Sequence, residues 1–241
     1  MSLQQQKIVL YLISQIQPQD EDFKLYEFEI SEFCRVCGIE VESGRNYELL
    51  KDQIKKIADK SMWVYLEDGR ETLVRWIEKP YIEEGTGKIS IKLDKDMKPF
   101  LLKLKERYTT YELIWTLHFK SKYTIRLYEL IKSIHFNELQ TYKKVYPIEE
   151  LKRLLDAETY KTYQALKERV LMPATEEINR YSEKNISFEP IRKGKKFVAV
   201  ELTVSTKEAI EMLRIRSEVE KEMGTDQITL WELLEEKGYT E

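Results

Sequence analysis

Apolar positions in the first half of the chain follow two spacings. Ile8, Val9, Leu12, Ile13 and Ile16 recur at the helical period, and Pro18 ends that run. Ser31-Glu32-Phe33-Cys34-Arg35-Val36-Cys37 predicts a short helix capped at Ser31 and stopped by Gly38. Residues 47–62 predict a longer helix with Tyr47, Leu50, Ile54, Ile57 and Ala58 on one face. Two strand-like runs, 63–67 and 73–77, flank Asp68-Gly69, a strong short-hairpin signal. Ile89, Ile91 and Leu93 alternate with Ser90 and Lys92 as a further strand, and Pro99 opens a short helix.

The same order returns in the second half. Residues 123–136 predict a helix with Ile125, Leu127, Tyr128, Ile131 and Ile134 apolar, and 147–155 a short one with Pro147 in its first turn. Residues 160–178 predict a longer helix in which Pro173 imposes a kink or break. It runs into a strand pair, 186–189 and 197–204. There Val198, Val200, Leu202 and Val204 alternate with Ala199, Glu201 and Thr203, as in a half-buried antiparallel strand. The turn between these strands reads Arg192-Lys193-Gly194-Lys195-Lys196.

Beyond it, Ser205-Thr206-Lys207-Glu208 has a capping-box pattern before Ile210, Met212, Leu213, Val219 and Met223, and Gly224 stops that helix. Thr229-Leu230-Trp231-Glu232 starts another capped helix that Gly238 ends. Helix, short helix, longer helix and hairpin, twice over, predict an α+β, mostly helical fold. Its two tandem winged-helix domains, 1–118 and 119–207, precede a helical tail, 208–241.

Composition matters through its distribution. The net charge of −3 over 241 residues conceals three regions. Residues 1–118 carry 18 Lys+Arg and 21 Asp+Glu; residues 119–207 carry 18 and 12; residues 208–241 carry 4 and 10. The basic middle contains the cationic turn, and local charge decides what a surface attracts. Two cysteines make no disulfide framework, and no apolar run approaches the roughly 20 residues that span a bilayer. The first residues lack the order of a secretory signal, so a cytoplasmic, reducing location is expected.

A helix followed by a hairpin with four cations around a glycine suits a polyanion. The helix can enter a DNA major groove while the hairpin tip touches adjacent phosphates. Arg192, Lys193, Lys195 and Lys196 read as a solvated turn or as phosphate contacts, and the fold context favours contacts. Lys161, Thr162, Gln164, Lys167 and Arg169 lie early on the preceding helix, whose buried face would take Tyr160, Tyr163, Leu166 and Val170. Gln can pair bidentately with adenine and Lys with guanine. Glu168 reads equally as a cytosine-amine acceptor or as a helix ion-pair partner.

In the first half, Arg45, Asn46, Lys51, Lys55 and Lys56 flank or line the longer helix, diluted by Glu48, Asp52 and Asp59. A solvated face and a second DNA contact are equally good readings there. The Asp68-Gly69 turn lacks a basic cluster. Cys34 and Cys37 form a lone Cys-x-x-Cys and fit buried small side chains better than a metal site. His118 and His135 stand 17 residues apart, unlike the close histidine pair of a tyrosine nickase. Gly85-Thr86-Gly87-Lys88 lacks the earlier glycine and the following Ser/Thr of a phosphate loop. No catalytic residue, metal ligand or cofactor site is identified, so the chain is not expected to be an enzyme.

Ser121-Lys122-Tyr123-Thr124-Ile125-Arg126-Leu127-Tyr128-Glu129-Leu130 closely resembles the S-x-Y-x-x-R-L-Y-E-L signature of iteron-binding plasmid replication initiators, Rep proteins with two winged helices. The resemblance extends through Ile148-Glu149-Glu150-Leu151-Lys152, Glu177-Ile178-Asn179, Ile186-Ser187-Phe188-Glu189 and Lys193-Gly194-Lys195-Lys196. Across the first half it is looser, and in all it covers about residues 5–207.

It implies double-stranded DNA as partner: direct repeats (iterons) at a plasmid origin, with one winged helix on each end of a repeat. It also implies a monomer–dimer system in which the monomer initiates and the dimer represses its own promoter, at an operator inverted repeat, with the first winged helix as dimer interface. With no NTP site, unwinding would fall to the host helicase, recruited through the host initiator. Arg126 and Glu129, within the signature, read as structural. Two alternatives stay open: a pure transcriptional repressor, and a winged-helix protein-interaction module favoured by the acidic first half and tail.

Overall fold

The first of two compact units, Met1–Tyr108, opens with helix α1, Leu3–Ser14. Its start is a capping box: Ser2 accepts from the Gln5 amide while the Gln5 side chain accepts from the Ser2 amide. Strand β1, Tyr26–Glu29, leads straight into α2, Ile30–Val36, and α3 follows at Arg45–Ala58. Strands β2, Ser61–Tyr65, and β3, Glu71–Arg75, form an antiparallel hairpin. Strands β4, Tyr81–Glu83, and β5, Lys88–Ile91, join β1 in a sheet of order β1-β5-β4. A short 3₁₀ turn and α4, Lys98–Leu101, complete the described part.

The computed structural model describes residues 1–17, 19–36, 45–66, 68–83, 85–102, 112–135 and 139–222, with backbone only at Glu32, Val36 and 45–47. The expected stops at Pro18, Gly38 and Gly224, Cys37, and the second tail helix with Trp231 lie outside the described residues.

The apolar stripes read from the sequence meet in one core. Ile8 and Leu12 of α1 face Phe33 and Cys34 of α2, Leu50, Ile54 and Ile57 of α3, and Ile89 and Ile91 of β5. Phe28 and Phe33 pack ring to ring at 5.3 Å, with Tyr11 against both. Cys34 is a core residue, and burial pushes its thiol up.

The second unit, Thr109–Glu241, begins with α5, Leu113–Leu117, and α6, Lys122–Ile134. Strand β6, Tyr142–Pro147, passes directly into α7, Ile148–Leu154. Helix α8, Tyr163–Leu166, continues through a π-helical turn, Lys167–Leu171, into α9, Met172–Tyr181. The long hairpin β7, Lys184–Lys193, and β8, Lys196–Thr206, makes a sheet of order β6-β8-β7. Helix α10, Ala209–Glu222, packs on α9 and α5 through buried Ile215 and Val219. Each unit is a winged helix, its helices followed by a β-hairpin.

Several expectations are corrected. Ser31 is the second residue of α2 rather than its cap, because the helix starts at Ile30 where β1 ends. Helix α3 stops at Ala58, and Met62 belongs to β2. Residues 160–162 precede α8 instead of forming its first turn, because Thr162 adopts extended backbone and caps the helix at Tyr163. The capping box at Ser205 does not form. Both Ser205 and Thr206 are paired in β8, and the Lys184 ammonium donates to the Thr206 hydroxyl at 2.8 Å.

Strands β1, β4 and β6 and helix α5 have no counterpart among the expected elements. The strand pair expected at 186–189 and 197–204 is longer at both ends. Val198 is exposed, because pairing with β6 ends at Ala199 and the hairpin continues alone beyond it. At Pro173 the α-helical run is interrupted by the π turn, after which α9 starts with the proline in its first turn. In the π turn the Met172 amide donates to the Lys167 carbonyl, five residues back, just ahead of the proline that has no N–H to give.

Candidate nucleic-acid interface

The helix–turn–helix of the second unit is closed by backbone chemistry. Helix α7 ends in a Schellman motif: the Ala157 amide donates to Lys152 O at 2.8 Å and the Asp156 amide to Arg153 O at 3.2 Å. Asp156 takes the left-handed position, φ 56°, that this cap demands. Lys152, 3% exposed, then donates to the Lys161 carbonyl at 3.3 Å and to Glu149 at 2.8 Å. The turn is thereby fixed before α8 begins, where the Thr162 hydroxyl accepts from the Ala165 amide at 3.1 Å.

This framework also explains the signature residues of α6. Ser121 caps the helix, Lys122 pairs with Asp156 at 3.2 Å, and Tyr123 packs edge-on against Tyr160 at 5.9 Å. Arg126 reaches the Leu154 carbonyl at 3.4 Å. The buried Tyr128 hydroxyl donates to Glu183, which also holds Lys132 at 3.1 Å. These side chains tie α6 to the turn on one side and to the start of the hairpin on the other. Burial and the Tyr160 contact push the Tyr123 phenol up to about 12.

The base-reading candidates sit as follows. Gln164, Glu168 and Arg169 are exposed, and Lys167 is half-buried within the π turn. The Gln164 amide donates to the Glu168 carboxylate on the same helix. Lys161, ahead of the helix, donates to the Glu158 carbonyl at 3.2 Å. Thr162 spends its hydroxyl on the cap.

At the tip of the hairpin the loop narrows to Gly194-Lys195, with Lys193 paired to Lys196. Gly194 has φ 63°, the positive value a tight hairpin turn needs at that place. Arg192, Lys193, Lys195 and Lys196 are all exposed, and none is ion-paired among the described residues. A β-bulge between Ile191 and Arg192 twists the ribbon just below them. The Arg192 guanidinium lies 4.2 Å from the centre of the Phe197 ring, and that ring lies 4.3 Å from Tyr163, the first residue of α8. Burial pushes the Tyr163 phenol up, helped by Glu189 and opposed by Arg192.

In the first unit, Arg45 and Asn46 open α3, and their side chains lie outside the described residues. The remaining cations of that helix are matched along it: Lys51 with Glu48 at 3.5 Å, Lys55 with Asp59 at 2.9 Å, Lys56 with Asp52 at 2.5 Å. At the β2–β3 turn Arg70 pairs with Asp68 at 2.6 Å. The glycine-rich run at Gly85-Thr86-Gly87 is the turn between β4 and β5 and leads into a strand, not a helix.

Two contributors to this site carry almost no sequence signal. Phe197 is marked only as the first apolar residue after a basic turn. Lys152 has the pattern of an ordinary cation on an exposed helix face, and nothing in its neighbourhood marks it as buried.

Residues 1–132 match the family described as Initiator Replication protein, WH1, and residues 147–204 match Initiator Rep protein, WH2. Among solved structures the chain is similar to the Pi initiator protein in complex with iteron DNA. Identity is 20%, the match covers 85% of this chain and 91% of that chain, and the TM-score is 0.70. At that identity the likeness is one of fold. The WH1 domain of MSBI1.176, a replication protein isolated from a multiple sclerosis patient, matches at 20% identity. That match spans 42% of this chain and 79% of its own, with a TM-score of 0.31. No protein of curated function matches the chain.

Proposed function

The chain belongs to the Initiator Replication protein family, and from that premise we propose that it is a plasmid replication initiator binding iteron repeats as double-stranded DNA. The observation that carries this reading is the unpaired cationic tip beside a capped, exposed helix in the second unit. Lys193, Lys195 and Lys196 supply phosphate contacts, and Arg192 does so from a fixed plane. Gln164 and Arg169 offer base-edge contacts in a major groove, with Lys167 and Lys161 at the flanks. The similarity of fold to an initiator whose structure contains iteron DNA supports the same class of ligand.

In this reading the first unit adds a weaker contact through Lys51, Lys55, Arg45 and Asn46. Bound protein marks the origin and bends or destabilises it, and host machinery supplies the unwinding. Titration with direct repeats from the plasmid that encodes it is expected to show salt-dependent binding that a scrambled duplex does not match. A plasmid carrying only the origin should replicate when the protein is supplied in trans. Absence of repeat binding even at low salt would overturn the proposal. Repeat binding without replication in trans would leave a transcriptional repressor instead.

A further inference from the structure

We propose that Phe197 is the positioning residue that joins the base-reading helix and the phosphate-contacting wing into a single DNA-contacting body. The inference rests on the DNA-binding reading above and adds a means by which that site gains specificity.

The hairpin poses a mechanical problem. Strand β6 pairs with β8 only as far as Ala199, which faces Ile191, so residues 192–198 depend on two strands alone. A two-stranded ribbon is marginally stable by itself. Cations at the end of a loosely held ribbon would contact phosphates without fixing where the helix sits.

Phe197 lies within that unsupported stretch and is half-buried nonetheless. Its ring is tilted by 31° against Tyr163 at 4.3 Å, and its other neighbour is its cross-strand partner Arg192, at 4.2 Å. Tyr163 directly follows the capping Thr162 and precedes Gln164. Three planar groups in contact therefore run from the first turn of the reading helix to the first cation of the wing.

The Tyr163 hydroxyl is buried and has no hydrogen-bond partner among the described residues, so ring packing is what places this side chain. Arg suits the outer position better than Lys, because its flat guanidinium can stack while its edges donate. With the stack intact, each phosphate contact also sets the register of Gln164 on the base edges. Sites with the right base gain from this, and random DNA gains little.

The test uses the full chain and measures anisotropy of two labelled duplexes, one carrying an origin repeat and one scrambled, across a salt series. Phe197→Leu is expected to weaken repeat binding about tenfold and scrambled binding less than about twofold, on the scale of coupled neighbours. Its salt slope should not change, because no charge is removed. Phe197→Trp should restore affinity, and Tyr163→Phe should leave it intact. Combining Phe197→Leu with Gln164→Ala should cost less than the product of the single losses. If Phe197→Leu does not fold, Arg192→Lys carries the test, since it keeps the charge and removes the stacked plane.

Equal losses on both duplexes, or a double variant that simply multiplies the single losses, would overturn the proposal while leaving DNA binding in place. A wild-type chain with no preference for the repeat would overturn the functional reading and this inference together.

Discussion

The two winged helices share an order of elements and differ in what they do with charge. On α3 of the first unit, Lys51, Lys55 and Lys56 each lie beside an acid three or four residues away on the same helix. At the second wing, four cations stand on a tight turn with no acid to meet them among the described residues. The first wing, by contrast, carries Trp63, Tyr65 and Leu73 exposed on one face and closes its turn with an internal Arg70–Asp68 pair. A polyanion is attracted by unmatched charge, so counting lysines overstates the first unit and understates the second.

The largest expected effect concerns the scaffold behind the second site. Glu183→Ala should destabilise that unit by about 2 kcal/mol, because it removes the carboxylate that accepts from the Tyr128 hydroxyl and pairs with Lys132. Residue-resolved hydrogen exchange should show the effect in α6 and the hairpin, and protection in α3 should persist. If α3 loses protection equally, the two units do not differ in this way.

Next is the tip itself. Lys193→Ala with Lys195→Ala should weaken binding to all duplexes by about tenfold. The salt slope should fall by about 2, at roughly 0.9 for each phosphate that is no longer neutralised. An unchanged slope would return those lysines to a role in solubility alone. Gln164→Ala should instead relax preference at a single base pair, reducing discrimination by about 1–3 kcal/mol with an unaltered slope.

The difference between the units can also be inverted. Asp52→Asn with Asp59→Asn frees Lys56 and Lys55, and should strengthen binding to all sequences about two- to fivefold while steepening the salt dependence. No gain would mean that α3 does not face DNA at all.

A last effect is alkaline and concerns the stability of the second unit rather than its affinity for DNA. The folded state holds the Tyr123 phenol at about 12, above the ordinary value of 10, so folding favours its neutral form. That contribution is complete below pH 10 and disappears as pH rises from 10 through about 12. Denaturant midpoints across this window should fall, and Tyr123→Phe should flatten the decline.

Much of the fold was legible because the core stripes are local patterns. The predicted face of α3 through Leu50, Ile54 and Ile57 is the buried one, as is that of α6 through Ile125, Leu127, Tyr128 and Ile131. Strand β6 was hidden by Lys143 and Lys144, which break any apolar alternation. The capping-box pattern at Ser205 misled because strand pairing with Lys184 outweighs a local cap. At the site, the cationic turn was readable as adjacent residues. The partners that set its geometry were not, since Tyr163 and Phe197 are 34 residues apart in sequence.

By itself, then, the sequence determined the repeated order of helices and hairpin, the apolar faces of α3 and α6 and the position of the basic turn, because these depend on periodicity and on neighbours in the chain. Only the tertiary structure decided which cations remain unmatched, which aromatic ring braces the wing, and that Lys152 is buried beneath the turn. Such features depend on contacts between residues far apart in sequence, and on the desolvation those contacts impose, which no local pattern encodes.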